Sequence, residues 1–275
     1  MLEYEHTMEA KIKSLILSSH TRRWLFWLSI VVFLAAVFLA LYWQVLPQPA
    51  VYFLNDISVP GKGQEVLVFS PHCDDETISG AGLIQRAIKN GAKVDIVLVT
   101  DCNKQHAEEK RFEETKGALR VLGVSDQRLV YLNYPDGNLH KEDEAAVAQH
   151  FQDVIDQLKP DLLIAPTDRD THLDHRVTGR LIQQIARADQ IALYQYLVHY
   201  PYFPSPKKFM PNDYLLPPLK LITFDKKWMK LDLLESEEDI KNEAVLQYKS
   251  QLKNRMIRGI LLGSIRKNEL FAVPL

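Results

Sequence analysis

The sequence is poor in several features that would make a function easy to assign. It has only two cysteines, Cys73 and Cys102, too few for the disulfide framework of a small secreted domain, and they are not spaced as C-x-x-C. It has no excess of positive charge. Lys and Arg number 33 against 35 Asp and Glu, a net charge of -2, so the basic footprint of a nucleic-acid binder is missing and no nucleic-acid partner is expected. Internal repeats and low-complexity tracts are absent too. The stretch "SGAGLIQ" has two glycines but lacks the third of G-x-G-x-x-G, and the acidic loop before it would repel a pyrophosphate, which argues against a nucleotide-binding module.

One long apolar run stands out. "WLFWLSIVVFLAAVFLALY", Trp24 to Tyr42, carries no charge, and at about 1.5 Å per residue it covers a bilayer core of roughly 30 Å. A buried core helix would be shorter and keep a polar face. A cleaved signal peptide would have an apolar region of only about 7–15 residues. The run therefore predicts an uncleaved, single-pass transmembrane anchor. Lys11, Lys13, Arg22 and Arg23 precede it, whereas the first basic residue after it is Lys62. The positive-inside rule then puts the N-terminus in the cytoplasm and the rest of the chain outside it. Trp24, Trp27, Tyr42 and Trp43 fall near the ends of the run, where interfacial aromatics gather. The expected organisation is a cytoplasmic segment over 1–23, an anchor over 24–46, a Pro/Gly-containing linker over 47–64 and one domain over 65–275.

Within that domain short apolar runs alternate with helix-period segments. Strands are expected at Glu65–Ser70, Lys93–Thr100, Arg128–Leu132, Asp161–Pro166, Ile191–His199 and Leu219–Phe224. Helices are expected at Glu76–Asn90, His106–Leu122, Glu144–Leu158, His175–Ala188 and Glu237–Lys253. This alternation predicts an α/β, Rossmann-like fold, a mostly parallel sheet with helices on both faces. The proline-rich stretch over residues 200–218 interrupts the pattern and reads as an irregular surface excursion, a candidate lid and the candidate selector of substrate.

Ligands of open α/β sheets gather at the carboxyl ends of the strands. "PHCDDE" falls at the end of the first strand and "TDRDTHLDHR", Thr167 to Arg176, just after the fourth. One His and one Asp from the first loop and one His from the second make a three-ligand set with an open position, the pattern of a catalytic zinc site. Asp74 and His172 are surplus groups available for proton transfer and oxyanion stabilisation. Either loop alone is also explained by helix capping, since carboxylates are favoured at helix N-termini. Both at equivalent strand ends are not.

These motifs resemble the PIG-L/LmbE family of zinc-dependent de-N-acetylases, whose first motif usually reads Pro-His-Pro-Asp-Asp-Glu and whose second reads His-x-Asp-His. The resemblance runs from about Glu65 to the C-terminus and includes "RFEETKGALRVLGV", "YPDG", "NEAVLQYKSQ" and "NELF". It implies His72, Asp75 and His175 as ligands of Zn2+ or another divalent metal and Asp74 as the general base. It implies that His172 stabilises the oxyanion and protonates the amine, and that Asp174 orients a histidine. Arg111 and Asp136 match sugar-contacting positions, although Arg111 fits equally an ion pair with Glu108 or Glu114, and Asp136 turn chemistry alone. The implied reaction is hydrolysis of the N-acetyl group of an N-acetylglucosamine-type sugar in a glycan or glycolipid. The rival is a non-catalytic carbohydrate-binding protein on the same fold, which would need neither Asp74 nor His172. Cys73 stands where the family usually has proline. It reads as a fourth, soft ligand, as a partner for Cys102, or as a small residue in proline's place.

Overall fold

The structure is a computed structural model of the chain, and it describes residues 19–43, 46–103 and 108–275. The chain divides into two compact units, 1–44 and 45–275. Most of the segment expected at 1–23, and the first residues of the helix expected from His106, lie outside the described residues. In the first unit, helix α1 (Ser19–Trp43) contains one stretch, Thr21–Leu39, long and apolar enough to cross a membrane.

The second unit is built on an eight-stranded sheet ordered β1-β7-β8-β6-β5-β2-β3-β4. Its strands are β1 (Asn55–Asp56), β2 (Glu65–Ser70), β3 (Lys93–Thr100), β4 (Leu129–Tyr134), β5 (Leu162–Pro166), β6 (Ala192–Tyr196), β7 (Lys226–Asp232) and β8 (Asn268–Pro274). The run from β6 to β4 is parallel, and β8 lies antiparallel between β6 and β7. The helices are α2 (Asp75–Lys89), α3 (Glu108–Val121), α4 (Glu144–Leu158), α5 (Leu173–Asp189), α6 (Glu235–Val245) and α7 (Arg255–Gly263).

Strand alternation divides the core between the two faces. Val66 and Val68 of β2 join residues of α2, α3, α6 and α7 in one cluster, while Leu67 and Phe69 join those of α4 and α5 in another. This is the expected mixed α/β sheet with helices on both faces. Four details differ from the reading of the sequence. Leu219–Phe224 is not a strand; it opens with a 3-10 turn, and the strand comes later, at β7. The helix expected to run to Lys253 ends at Val245. Residues 269–274, for which the sequence suggested no element, lie in β8, inside the sheet. The stretch expected as a linker also contributes a 3-10 turn, Gln48–Phe53, and the edge strand β1.

A buried ion pair ties the late elements to the early ones. Glu269 of β8 accepts hydrogen bonds from Gly82 N (2.8 Å) and Leu83 N (2.9 Å) in the middle of α2, and Lys241 of α6 donates to Glu269 Oε1 (2.8 Å) and to the Ile78 carbonyl (3.0 Å). A Cβ at position 82 would lie 2.2 Å from Leu233 Cδ2 and 3.3 Å from Glu269 Oε2, so the Leu233 side chain would have to move to admit any other residue.

Candidate active site

Two loops at the carboxyl edge of the sheet build the site. The first leaves β2 and is tied down on both sides. Ser70 Oγ lies within hydrogen-bond reach of the His72 carbonyl (2.7 Å) and of Glu76 Oε2 (2.6 Å), its one proton serving one of them at a time, and Thr100 donates through Oγ1 (2.7 Å) and N (3.1 Å) to the Pro71 carbonyl. Cys73 is joined to Cys102 at the end of β3 by a disulfide, with Cα atoms 5.9 Å apart. Its sulfur is therefore neither a ligand nor merely small filler in proline's place. Glu76, expected only to start the helix, is fully buried and also accepts from Tyr248 (2.7 Å) and Thr77 (3.1 Å).

The second loop leaves β5 and enters α5. Gly179 allows that helix to lie against the strand end, since a Cβ there would fall 2.2 Å from the Pro166 carbonyl oxygen. The close approach carries His172, Asp174 and His175 to the first loop. Three atoms then converge: His72 Nδ1 and His175 Nε2 are 3.1 Å apart, and Asp75 Oδ2 is 3.3 Å from the former and 3.0 Å from the latter.

These separations and the donor types fit an ion. Two imidazole nitrogens and a carboxylate oxygen around a tetrahedral zinc would stand about 3.3 Å from one another. Asp75 Oδ1 is buried with no hydrogen-bond partner among the described residues, the kind of orphaned atom that a cation would satisfy. Without a cation the cluster shares its protons unevenly. Burial opposes the charge on His72, but hydrogen bonds to Asp174 and Asp75 raise its pKa to about 9. Burial likewise opposes protonation of His175, but Asp75 and Asp170 hold its pKa well above the ordinary value. His175 in turn outweighs burial at Asp75 and keeps that carboxyl well below the usual range.

Around the triangle lie the other residues singled out by the sequence. Asp74 lines an open cleft of about 310 Å³. Burial, and after it the charge of Asp75, pushes the Asp74 carboxyl up to about 8. His172 lines the same cleft, its ring centroid 4.5 Å from that of His72. Burial, reinforced by His72 and His175, lowers it to about 4, so it is neutral, and its Nδ1 is buried with no hydrogen-bond partner among the described residues. Asp174 accepts from Gly137 N (2.7 Å) and Leu139 N (3.1 Å), and the histidine it faces is His72, with Nε2 3.2 Å away. Arg111 pairs with Asp136 (3.2 Å) and donates to the Cys102 carbonyl (3.0 Å), lies 3.9 Å from Asp74 Oδ2, and its Nε has no partner among the described residues. Neither Glu108 nor Glu114 is its partner: Glu114 accepts instead from Ser250 N (2.8 Å) and Oγ (2.5 Å). Asp136 is also 3.5 Å from His72 Nε2.

Two residues were not marked in the sequence. Asp170 Oδ2 lies 3.2 Å from His175 Nδ1 and accepts from Val198 N (3.1 Å) and His199 N (2.9 Å), while its Oδ1 accepts from His172 N (2.8 Å). His199 lines the cleft, and a ring nitrogen of it joins those of His72 and His175 and a carboxylate oxygen of Asp75 within 4.8 Å of one another. The signal for Asp170 was its place in "TDRDTHLDHR". His199 had none beyond closing the strand expected at Ile191–His199. The proline-rich stretch, the candidate lid, supplies none of the described residues that line this cleft.

Residues 67–186 match the PIG-L family, described as GlcNAc-PI de-N-acetylase. The chain carries a PIG-L family domain. A curated relative from Bacillus subtilis (strain 168), the probable N-acetyl-alpha-D-glucosaminyl L-malate deacetylase 2, is 27% identical over 132 residues, 43% of this chain and 59% of the relative. The match thus spans less than two thirds of that protein. Among solved structures, the N,N'-diacetylchitobiose deacetylase of Pyrococcus horikoshii aligns with a TM-score of 0.56 at 21% identity, over 76% of this chain and 83% of its own. The zinc-inhibited form of teicoplanin deacetylase aligns with a TM-score of 0.56 at 16% identity, over 76% and 97%. At such identities the likeness shows a shared fold.

Proposed function

We propose that this PIG-L domain is a metal-dependent amidohydrolase that removes the N-acetyl group from an N-acetylglucosamine-type sugar of a glycan or glycolipid. The observation that carries the reading is the triangle of His72, Asp75 and His175 on the open cleft, with Asp74 and His172 beside it. A protein that only bound sugar would need no buried carboxyl beside a metal-type donor set. The likeness to deacetylases acting on N-acetylated sugars supports the same substrate class.

His72, Asp75 and His175 would hold the ion, which by its donor set would be zinc. When bound it supplies Lewis-acid polarisation of the amide carbonyl and a water more acidic than bulk water. The protein residues carry the remaining roles. Asp74, whose carboxyl a cation beside Asp75 would favour in its ionised form, takes the proton of the attacking water. His172, neutral, donates a hydrogen bond to the developing oxyanion, and the proton that Asp74 takes from the water is the one handed on to the departing amine beside it. Asp174 and Asp170 fix the outer ring nitrogens of His72 and His175, the role that carboxylates play behind ligating imidazoles. Arg111 and Asp136 stand at the cleft as a joined pair suited to sugar hydroxyls. The products are acetate and a free amine.

The chain is further proposed to be anchored by α1, with its N-terminus cytoplasmic and its catalytic domain outside. The apolar stretch Thr21–Leu39 and the basic residues before it support this orientation. The disulfide fits an oxidising compartment. The decisive assay measures amine release from N-acetylglucosamine conjugates before and after chelation. Turnover that stops with chelator and returns with added zinc is expected; chelator-insensitive turnover, or none on any such conjugate, overturns the reading.

A further inference from the structure

The cleft is not lined only by polar groups. Its lining also includes Ile78, Met256, Ile257 and Ile260, together with Gln251 and Asn254. Met256, at the first turn of α7, is 71% exposed. An apolar side chain left in the open at a substrate cleft marks surface that a ligand would cover. Asn254 caps α7 by accepting from Met256 N (3.0 Å) and Ile257 N (3.3 Å), so these N–H groups are spent and this helix end is no anion site. Gln251 is 1% exposed; its Nε2 donates to Ser250 Oγ (3.1 Å), while its Oε1 has no partner among the described residues. A buried amide oxygen left unpaired is costly and ready to accept from a ligand hydroxyl.

This wall is held from behind by the proline-rich stretch. A Cβ at Gly263 would lie 2.8 Å from Pro204 Cγ, and one at Gly259 3.3 Å from the Lys207 carbonyl oxygen. Arg266 fastens the stretch by donating to the carbonyls of Pro206 (2.6 Å), Lys208 (3.3 Å) and Met210 (3.0 Å). The segment buttresses α7, and α7 faces the substrate.

We infer that the wall formed by Met256, Ile257 and Gln251 binds an alkyl group carried by the N-acylated aminosugar, with a neighbouring hydroxyl donating to Gln251 Oε1. A free sugar would leave the apolar wall wet. The wall is continuous with the catalytic floor, so one substrate of mixed character covers both. The inference rests on the deacetylase reading. The alkyl group belongs either to the aglycone or to the acyl chain, and these two sources are separated by comparing three substrates below their micelle concentrations: N-acetylglucosamine, octyl N-acetylglucosaminide and N-octanoylglucosamine.

A fully covered methylene raises kcat/KM by up to about fourfold. One octyl-bearing substrate is therefore expected to exceed N-acetylglucosamine at least tenfold, and which one does so names the source. Met256→Ser should cut that advantage at least threefold, and Met256→Leu should restore it; because Met256 is exposed, both variants should fold with unchanged Tm. Octyl-bearing substrates no better than N-acetylglucosamine, or an advantage untouched by Met256→Ser, would overturn the inference while leaving the deacetylase reading standing. No amine from any of the three would overturn that reading, and the inference with it.

Discussion

The second unit buries charge in two places, and the two are built differently. In the wedge of Lys241 and Glu269 both side chains are fully buried and both carboxylate oxygens are engaged, by Gly82 N, Leu83 N and Lys241. At the strand ends, Asp75 Oδ1 and His172 Nδ1 have no hydrogen-bond partner among the described residues, and the Asp74 carboxyl is pushed up to about 8 by burial and Asp75. A buried charge that is satisfied holds a fold together, whereas one left short is available to a ligand. Substitutions in the two clusters should accordingly separate activity from stability.

The sharpest contrast comes from Asp74→Asn. Loss of a general base costs about 10²–10⁴ in kcat. A carboxyl whose pKa is raised on folding destabilises the folded form near neutral pH, so its neutral replacement should leave the Tm of the metal-free protein the same or higher. Steady-state kinetics and thermal unfolding of one preparation check both halves. Residual activity within tenfold of the wild type would remove Asp74 from the proton-transfer role.

Glu269→Gln should do the reverse. It leaves Lys241 buried without its counter-charge, and breaking a buried pair costs about 3–5 kcal/mol. For a domain of this size the expected fall in Tm is roughly 6–20 °C, read by calorimetry. The folded fraction should still bind metal, because the substitution touches neither loop. A Tm within about 2 °C of the wild type would show that the wedge is not what joins β8 and α6 to α2.

The two clusters also differ in how far the sequence disclosed them. His72, Asp74 and Asp75 share one short motif, and His172, Asp174 and His175 share another, so strand-helix alternation was enough to bring them to one edge. The wedge joins residues from α2, α6 and β8, and no local pattern links them. Strand β7 was missed for a related reason. Its lysines Lys226 and Lys230 are buried on pairing with Asp168 and with Asp56 and Asp232, so "KKWMKLD" does not read as a buried strand, whereas the apolar look of Leu219–Phe224 misled. The same limit hid His199, which reaches the site only because β6 lies beside β5 and carries the chain back to the loop at Asp170. The disulfide was one of several open readings until parallel pairing of β2 and β3 brought Cys73 and Cys102 together.

Asp170 belongs to both kinds of cluster and should give the smallest and most informative effect. It is fully buried and satisfied by the backbone N–H groups of His172, Val198 and His199, yet it also faces His175 Nδ1. Asp170→Asn keeps one acceptor oxygen and loses the charge behind His175, so metal affinity should fall about 10–100-fold, measured by titration against a competing chelator. Burial raises the Asp170 carboxyl, but His175 outweighs it and holds the pKa below the ordinary value. A depressed carboxyl contributes stability that is present above its unfolded pKa of about 3.9 and lost as pH falls through the folded value. The metal-free wild type should therefore be more stable than Asp170→Asn at neutral pH, and the difference should vanish on acidification. A gap that persists in acid would assign the effect to the lost backbone hydrogen bonds alone, and an unchanged metal affinity would remove Asp170 from the support of His175.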